Sequence, residues 1–166
     1  MGKLSYFEQA ADALRQAFGA TGLGEQALLL DEAQRLHALA IADERTRRIT
    51  GLRVLIVEDE YMIADGLRDE LERVGAVVLG PLASVEEALA LLEEDVQVDG
   101  AVLDISLRGK PSYVVADELL RRNVPVVLAT GYDQNALPER YQHLPVCLKP
   151  TPPGLVSETI TRLISA

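Results

Sequence analysis

From Leu52 onward the chain alternates short apolar runs with longer segments whose apolar residues recur every three or four positions. The runs read as strands buried on both faces, and the three-four spacing reads as amphipathic helix. The first strand is 53–58. The first helix spans about 61–74, with Ile63, Leu67, Leu71 and Val74 inward and Gly75 ending it. Strand two is 76–80, closed by Gly80-Pro81. Ser84 opens helix two, with Glu87 three residues on in a capping-box pattern. Strand three is 100–105. Gly109-Lys110-Pro111 reads as a turn, and Ser112 as the cap of a third helix running to about Asn123. Strand four is 125–130. Pro138 interrupts 133–143, which predicts a short or irregular fourth helix. Strand five is 145–149, and Pro152 and Pro153 sit at the start of a fifth helix with Leu155, Ile160, Leu163 and Ile164 inward. Five βα units in a row imply an α/β fold, a doubly wound parallel sheet covered on both faces.

Residues 1–50 carry a different pattern. Leu4, Phe7, Ala11, Leu14 and Phe18 share one helical face, and Gly19, Gly22 and Gly24 break it. A second helix runs from about Glu25 to Arg48 with an apolar line through Leu29, Ala33, Leu36 and Ala40. Arg45, Arg47 and Arg48 fall in its last turn, where cations suit the helix dipole. This helical hairpin ends at Thr50-Gly51. It reads either as packing on the main domain or as a dimerisation or docking element, a homodimer through these helices included. His37 reads as a structural residue rather than a phosphorylatable one. The domain division is therefore 1–50, helical extension, and 51–166, α/β domain.

Composition narrows the classes. The net charge is -10, and residues 51–166 hold nineteen acidic against ten basic groups. This disfavours direct nucleic-acid binding, which needs surplus Lys and Arg. One cysteine excludes an internal disulfide and fits a reducing compartment. No apolar run is long enough for membrane insertion, and no signal peptide is visible, so a cytoplasmic protein is expected.

The candidate chemistry sits where the apolar runs end. Strand one releases Glu58-Asp59-Glu60, strand three Asp104, strand four Thr130-Gly131 and strand five Lys149-Pro150. In an open parallel sheet these ends converge on the crevice where ligands bind. Glu58, Asp59 and Asp104 together repel one another, and a hard divalent cation such as Mg2+ removes the conflict. Lys149 offers a positive charge for a phosphoryl oxygen, Thr130 a hydroxyl and Gly131 space. The assembled chemistry is attack of an aspartate carboxylate on phosphorus.

Val57-Glu58-Asp59-Glu60, Leu103-Asp104-Ile105-Ser106-Leu107, Ala129-Thr130-Gly131 and Leu148-Lys149-Pro150 resemble the receiver domains of response regulators in two-component signalling. The resemblance covers 52–166. It implies a flavodoxin-like (βα)5 sheet in order 2-1-3-4-5, here preceded by the helical hairpin. It implies Asp104 as phosphoacceptor, Asp59 as direct Mg2+ ligand, Glu58 as ligand through water and the Ser106 carbonyl as a further ligand. Thr130 and Lys149 resemble the switch hydroxyl and phosphoryl-binding lysine, and Ser106 and Tyr132 occupy the positions that tune dephosphorylation. The implied partner is a histidine kinase or histidine phosphotransfer protein. The implied function is a stand-alone switch, a phosphoacceptor rather than an enzyme of turnover, acting by relay, by competition for phosphate or by partner binding. Leu128-Ala129-Thr130-Gly131-Tyr132 is similar to a single-domain subgroup marked by Phe-Ala-Thr-Gly, with Leu128 in place of Phe. Family members carry Tyr or Phe three residues before the lysine; here Val146 stands there, so the short fourth helix and its loops are expected to carry the switch. An alternative is an interaction module independent of phosphorylation. A phosphatase resembling the haloacid dehalogenase class would need a second Asp where Ser106 stands.

Overall fold

The computed structural model describes residues 4–94 and 96–164, except for the side chains of 44–48. The arginines expected in the last turn of the second helix lie outside the described side chains. The chain divides into two compact units, Met1–Arg47 and Arg48–Ala166.

In the first unit, α1 is Tyr6–Gly19 and α2 is Leu23–Ile49. Ser5 caps α1 in a full capping box with Glu8, a start signal the periodicity did not use. The buried face of α1 is Ala10, Ala13 and Ala17. The expected stripe of Leu4, Phe7, Ala11, Leu14 and Phe18 is exposed instead. Two helices approach most closely along small side chains, so the alanines take the contact and the bulky residues stay outside. The expected line on α2 does face inward: Ala33 and Ala40 are buried, Leu29 and Leu36 partly so. His37 is exposed and meets Phe7 edge to face at 5.8 Å.

In the second unit, β1 is Arg53–Val57, β2 Val77–Leu82, β3 Gly100–Leu103, β6 Val126–Thr130 and β7 Val146–Leu148. They form one parallel sheet in order β2-β1-β3-β6-β7, which is the predicted 2-1-3-4-5. Helices α3 (Tyr61–Arg73), α4 (Val85–Glu93), α5 (Tyr113–Arg121) and α6 (Leu155–Ile164) cover it. Strand side chains alternate between two cores. Leu55, Val57, Ala101, Leu103, Val126 and Leu128 pack with α4 and α5. Val54, Ile56, Val102, Val127, Ala129 and Cys147 pack with α3 and α6. Burial on both faces explains why these strands read as unbroken apolar runs.

Several boundaries move. Strand β2 does not close at Gly80-Pro81 but runs on to Leu82, with a register shift opposite Leu55–Val57. Gly80 at φ +90 makes that irregularity, and the Glu58 N–H donates to the Leu82 carbonyl beyond it. Strand β3 ends at Leu103, not 105. A small hairpin follows, β4 (Ser106–Leu107) with β5 (Lys110–Pro111), turning on Arg108 (φ 50) and Gly109 (φ 77). Positive φ at both central residues is the two-residue turn that suits strand twist. Helix α6 starts at Leu155, after a turn in which the Leu155 N–H donates to the Pro152 carbonyl. Its fully buried apolar residues are Val156 and Ile160; Leu155, Leu163 and Ile164 are partly covered. Ser84 caps α4 as predicted, while Glu87 reaches the N–H of Ala83 rather than that of Ser84. The 133–143 segment holds two single 3-10 turns, Gln134–Ala136 and Glu139–Tyr141.

Candidate functional site

The site is made by strand ends. Glu58 and Asp59 are the first residues after β1, Asp104 the first after β3, Thr130 the last of β6 and Lys149 the first after β7. Because the strands are parallel and in register, all five leave at one edge of the sheet. Glu58, Asp59 and Asp104 each offer a carboxylate oxygen within 4.8 Å of the others. Lys149 Nζ lies 2.5 Å from Asp104 Oδ2 and 2.6 Å from Glu58 Oε2. Glu60 is a more distant neighbour of that ammonium at 3.9 Å.

Each carboxylate is held differently. Asp104 Oδ1 accepts the Ser106 N–H at 3.1 Å. Asp59 Oδ2 accepts the Arg108 N–H at 2.9 Å, so the β4–β5 turn orients it. Glu58 Oε1 accepts the Glu60 N–H at 3.1 Å. Glu58 Oε2 is buried and has no aligned donor, although the Lys149 charge is beside it. Burial pushes the Glu58 carboxyl up, against the opposing pull of Lys149 and the Glu60 N–H. Burial draws Lys149 down, but its hydrogen bond with Asp104 and the negative charges of Glu58 and Asp104 beside it outweigh this and hold it above the ordinary lysine value. The lysine is therefore charged, and it is shared by two buried acids.

Thr130 is fully buried; its Oγ1 accepts the Tyr132 N–H at 3.3 Å, and its carbonyl accepts the Lys149 N–H at 2.9 Å. The hydroxyl residue and the lysine are thus tied by the β6–β7 pairing. A side chain built on Gly131 would meet nothing within 4 Å, so there is open space beside Thr130. Tyr132 is exposed. Val146 is partly buried against the α4/α5 core.

One further residue, Tyr141, went unread in the sequence, and another, Ser112, was read for its position alone. Tyr141 is buried, stacks on Tyr113 with ring centroids 4.6 Å apart, and donates its hydroxyl to Asp117 at 2.8 Å. Burial and that bond push its phenol up to about 12. The spacing Leu137, Tyr141, Leu144 was the available signal, since all three are buried. Ser112 stands at the N-cap position of α5 as predicted but makes no side-chain cap bond. It donates its hydroxyl to the Asp104 carbonyl instead.

The donor set of the acidic cluster consists of hard carboxylate oxygens, one of them buried without an aligned donor. That set fits a hard divalent cation.

No family model matches the chain. Over 89 residues it is 38% identical to the sensory transduction protein LytT of Bacillus cereus, which covers 52% of this chain and 36% of LytT. The chain spans about half or less of the length of the curated relatives it matches. Among solved structures, SdrG from Sphingomonas melonis is 37% identical with a TM-score of 0.61, over 69% of this chain and 97% of SdrG. SdrG is also known in a BeF3-activated conformation. The response regulator PhyR from Brucella abortus is 28% identical with a TM-score of 0.62, over 99% of this chain and 68% of that one. The match to SdrG runs through nearly the whole of that protein, and the sheet order is the one the motifs implied. This chain belongs to the response regulator receiver family of two-component signalling.

Proposed function

We propose that this chain is a phosphorylation-operated switch whose phosphoacceptor is Asp104. The observation that carries the reading is the lysine bridge: one ammonium, 13% exposed, within 2.6 Å of both Asp104 and Glu58 at the mouth of a three-carboxylate cluster. A structural ion pair needs one acid. Three acids around one cation leave a negative excess suited to a divalent ion and then to a phosphoryl group. Asp59 and Asp104 would hold Mg2+ directly, Glu58 through water and the Ser106 carbonyl as a further ligand. When bound, the cation supplies charge neutralisation for the phosphoryl oxygens.

The chain's own residues do the rest. Asp104 offers Oδ2 for attack once Lys149 moves from that oxygen to the phosphoryl group. Lys149 stays protonated at neutral pH and neutralises a second phosphoryl oxygen. Thr130 supplies a hydroxyl, and the open volume at Gly131 admits the group. Catalysis is positioning and electrostatics rather than turnover, so the protein is a substrate of its donor more than an enzyme. The donor is a histidine kinase or histidine phosphotransfer protein, and the family's two-component setting supports this. The BeF3-activated form of SdrG supports the same chemistry, because beryllofluoride is a phosphoryl mimic.

The test is intact-mass analysis after incubation with Mg2+ and acetyl phosphate. Wild type should gain one labile phosphoryl group and Asp104→Asn none. A phosphoryl-free wild type that also fails to bind beryllofluoride would overturn the reading in favour of a phosphorylation-independent interaction module.

A further inference from the structure

We propose that Ser112 is a positioning residue for the phosphoacceptor, tying the main chain of Asp104 to the start of α5. The inference rests on Asp104 being the phosphoacceptor and names a residue that acts on it from behind.

Ser112 is completely buried and occupies the N-cap position of α5. A serine there ordinarily has extended backbone and accepts an N–H from the first turn. Here φ is -96 and ψ 15, and no cap bond forms. The hydroxyl donates instead to the Asp104 carbonyl at 2.5 Å, and the Ser112 N–H donates to the Ile105 carbonyl at 2.8 Å. The two consecutive carbonyls that follow β3, those of Asp104 and Ile105, are therefore held by one residue, Ser112. Between the two points the chain makes the β4–β5 hairpin, whose Arg108 N–H holds Asp59.

The consequence is geometric. Fixing the Asp104 carbonyl fixes the peptide plane that follows its Cα and so the ψ angle, which sets the base from which the carboxylate side chain reaches the Ser106 N–H and Lys149. On the front, that carboxylate takes the Ser106 N–H and Lys149. Behind, Ser112 cannot drift, because its neighbour Tyr113 is stacked on buried Tyr141, and Tyr141 is bonded to Asp117 one turn along α5. The helix gives up a cap, and the phosphoacceptor gains a fixed backbone.

The experiment measures phosphoryl uptake from acetyl phosphate with Mg2+ at several donor concentrations. Asp104 Oδ attacks phosphorus, the bond from phosphorus to the acetyl oxygen breaks, and acetate leaves. In Ser112→Ala the maximal rate should fall roughly tenfold, as small misplacements of a reacting atom do. The donor concentration for half-maximal rate should not change. The Asp104 carbonyl carbon resonance should move as its hydrogen bond is lost. A folded Ser112→Ala that labels at the wild-type maximal rate overturns the proposal. Should the variant not fold, wild type alone decides: its Ser112 hydroxyl proton should exchange slowly with water, and a freely exchanging one overturns the tether. Wild type that never labels but keeps the slow hydroxyl proton counts against the phosphoacceptor reading and leaves the tether standing.

Discussion

Lys149 decides the electrostatics of the cleft. Its Nζ lies 2.6 Å from Glu58 and 2.5 Å from Asp104, and both acids are almost wholly buried. Removing one partner of a buried charge set leaves the others uncompensated, which costs about 3 kcal/mol or more. Lys149→Met keeps the stem and removes the charge. It should lower stability to urea by about 3 kcal/mol at neutral pH, and Asp104→Asn in the same chain should recover part of the loss by removing one unpaired acid. A drop below about 1 kcal/mol would mean that water already screens the cluster. The pH dependence follows from the raised lysine value. A cation whose folded pKa exceeds its unfolded value stabilises fully below the unfolded value, about 10.4, and loses that contribution as pH rises through the folded one. The bridge is therefore intact across neutral pH.

At the scale of elements, β2 shows how one glycine lets a strand pass a site. Gly80 sits at φ +90, and a Cβ there would come within 2.8 Å of both the Ile56 carbonyl oxygen and the Leu82 nitrogen. Those atoms are backbone and cannot swing aside. Gly80→Ala should cost about 2–4 kcal/mol, strain and overlap together. Gly109 provides the control: its φ is +77 but nothing lies within 4 Å, so Gly109→Ala should cost only about 1 kcal/mol. Urea midpoints at unchanged slope measure both, and equal losses would show that φ alone sets the cost. The same contrast explains what was legible beforehand. Val54–Val57, Ala101–Leu103 and Val126–Ala129 are buried on both faces, so their runs announced themselves, and the first polar residue after each marked the cleft. The bulge at Gly80 was not legible, because Gly-Pro reads as an end whether the strand stops or bends. Nor was the buried side of α1, where Ala10, Ala13 and Ala17 keep the same period as the bulkier stripe. Ser112 was read as a cap from its position; a contact eight residues back, from its hydroxyl to the Asp104 carbonyl, leaves no mark in the local pattern.

For the whole molecule, charge is the property that ties fold to function. Residues 51–166 carry an excess of nine acids, and at one sheet edge three carboxylates meet beside the Lys149 ammonium, which leaves negative charge in excess. A fold built this way holds repulsion that a bound divalent ion relieves, so ion binding and folding are linked. An ion that binds only the folded state stabilises it by about 1.4 kcal/mol at tenfold excess over its dissociation constant. For a unit of this size that is a rise in Tm of a few degrees, about 3–6 °C. Mg2+ should produce this rise in wild type, and an equal ionic strength of NaCl should not, since general screening acts on all surface charges alike. Asp59→Asn should abolish the Mg2+ increment. It should also raise the metal-free Tm or leave it unchanged, because one of the three mutually repelling charges is gone while an oxygen remains to accept the Arg108 N–H. A Tm that rises equally with both salts, or that still responds to Mg2+ in Asp59→Asn, would place the ion elsewhere on the acidic surface. Screening and site binding separate in this comparison because only the second depends on which carboxylates converge where β1 and β3 end.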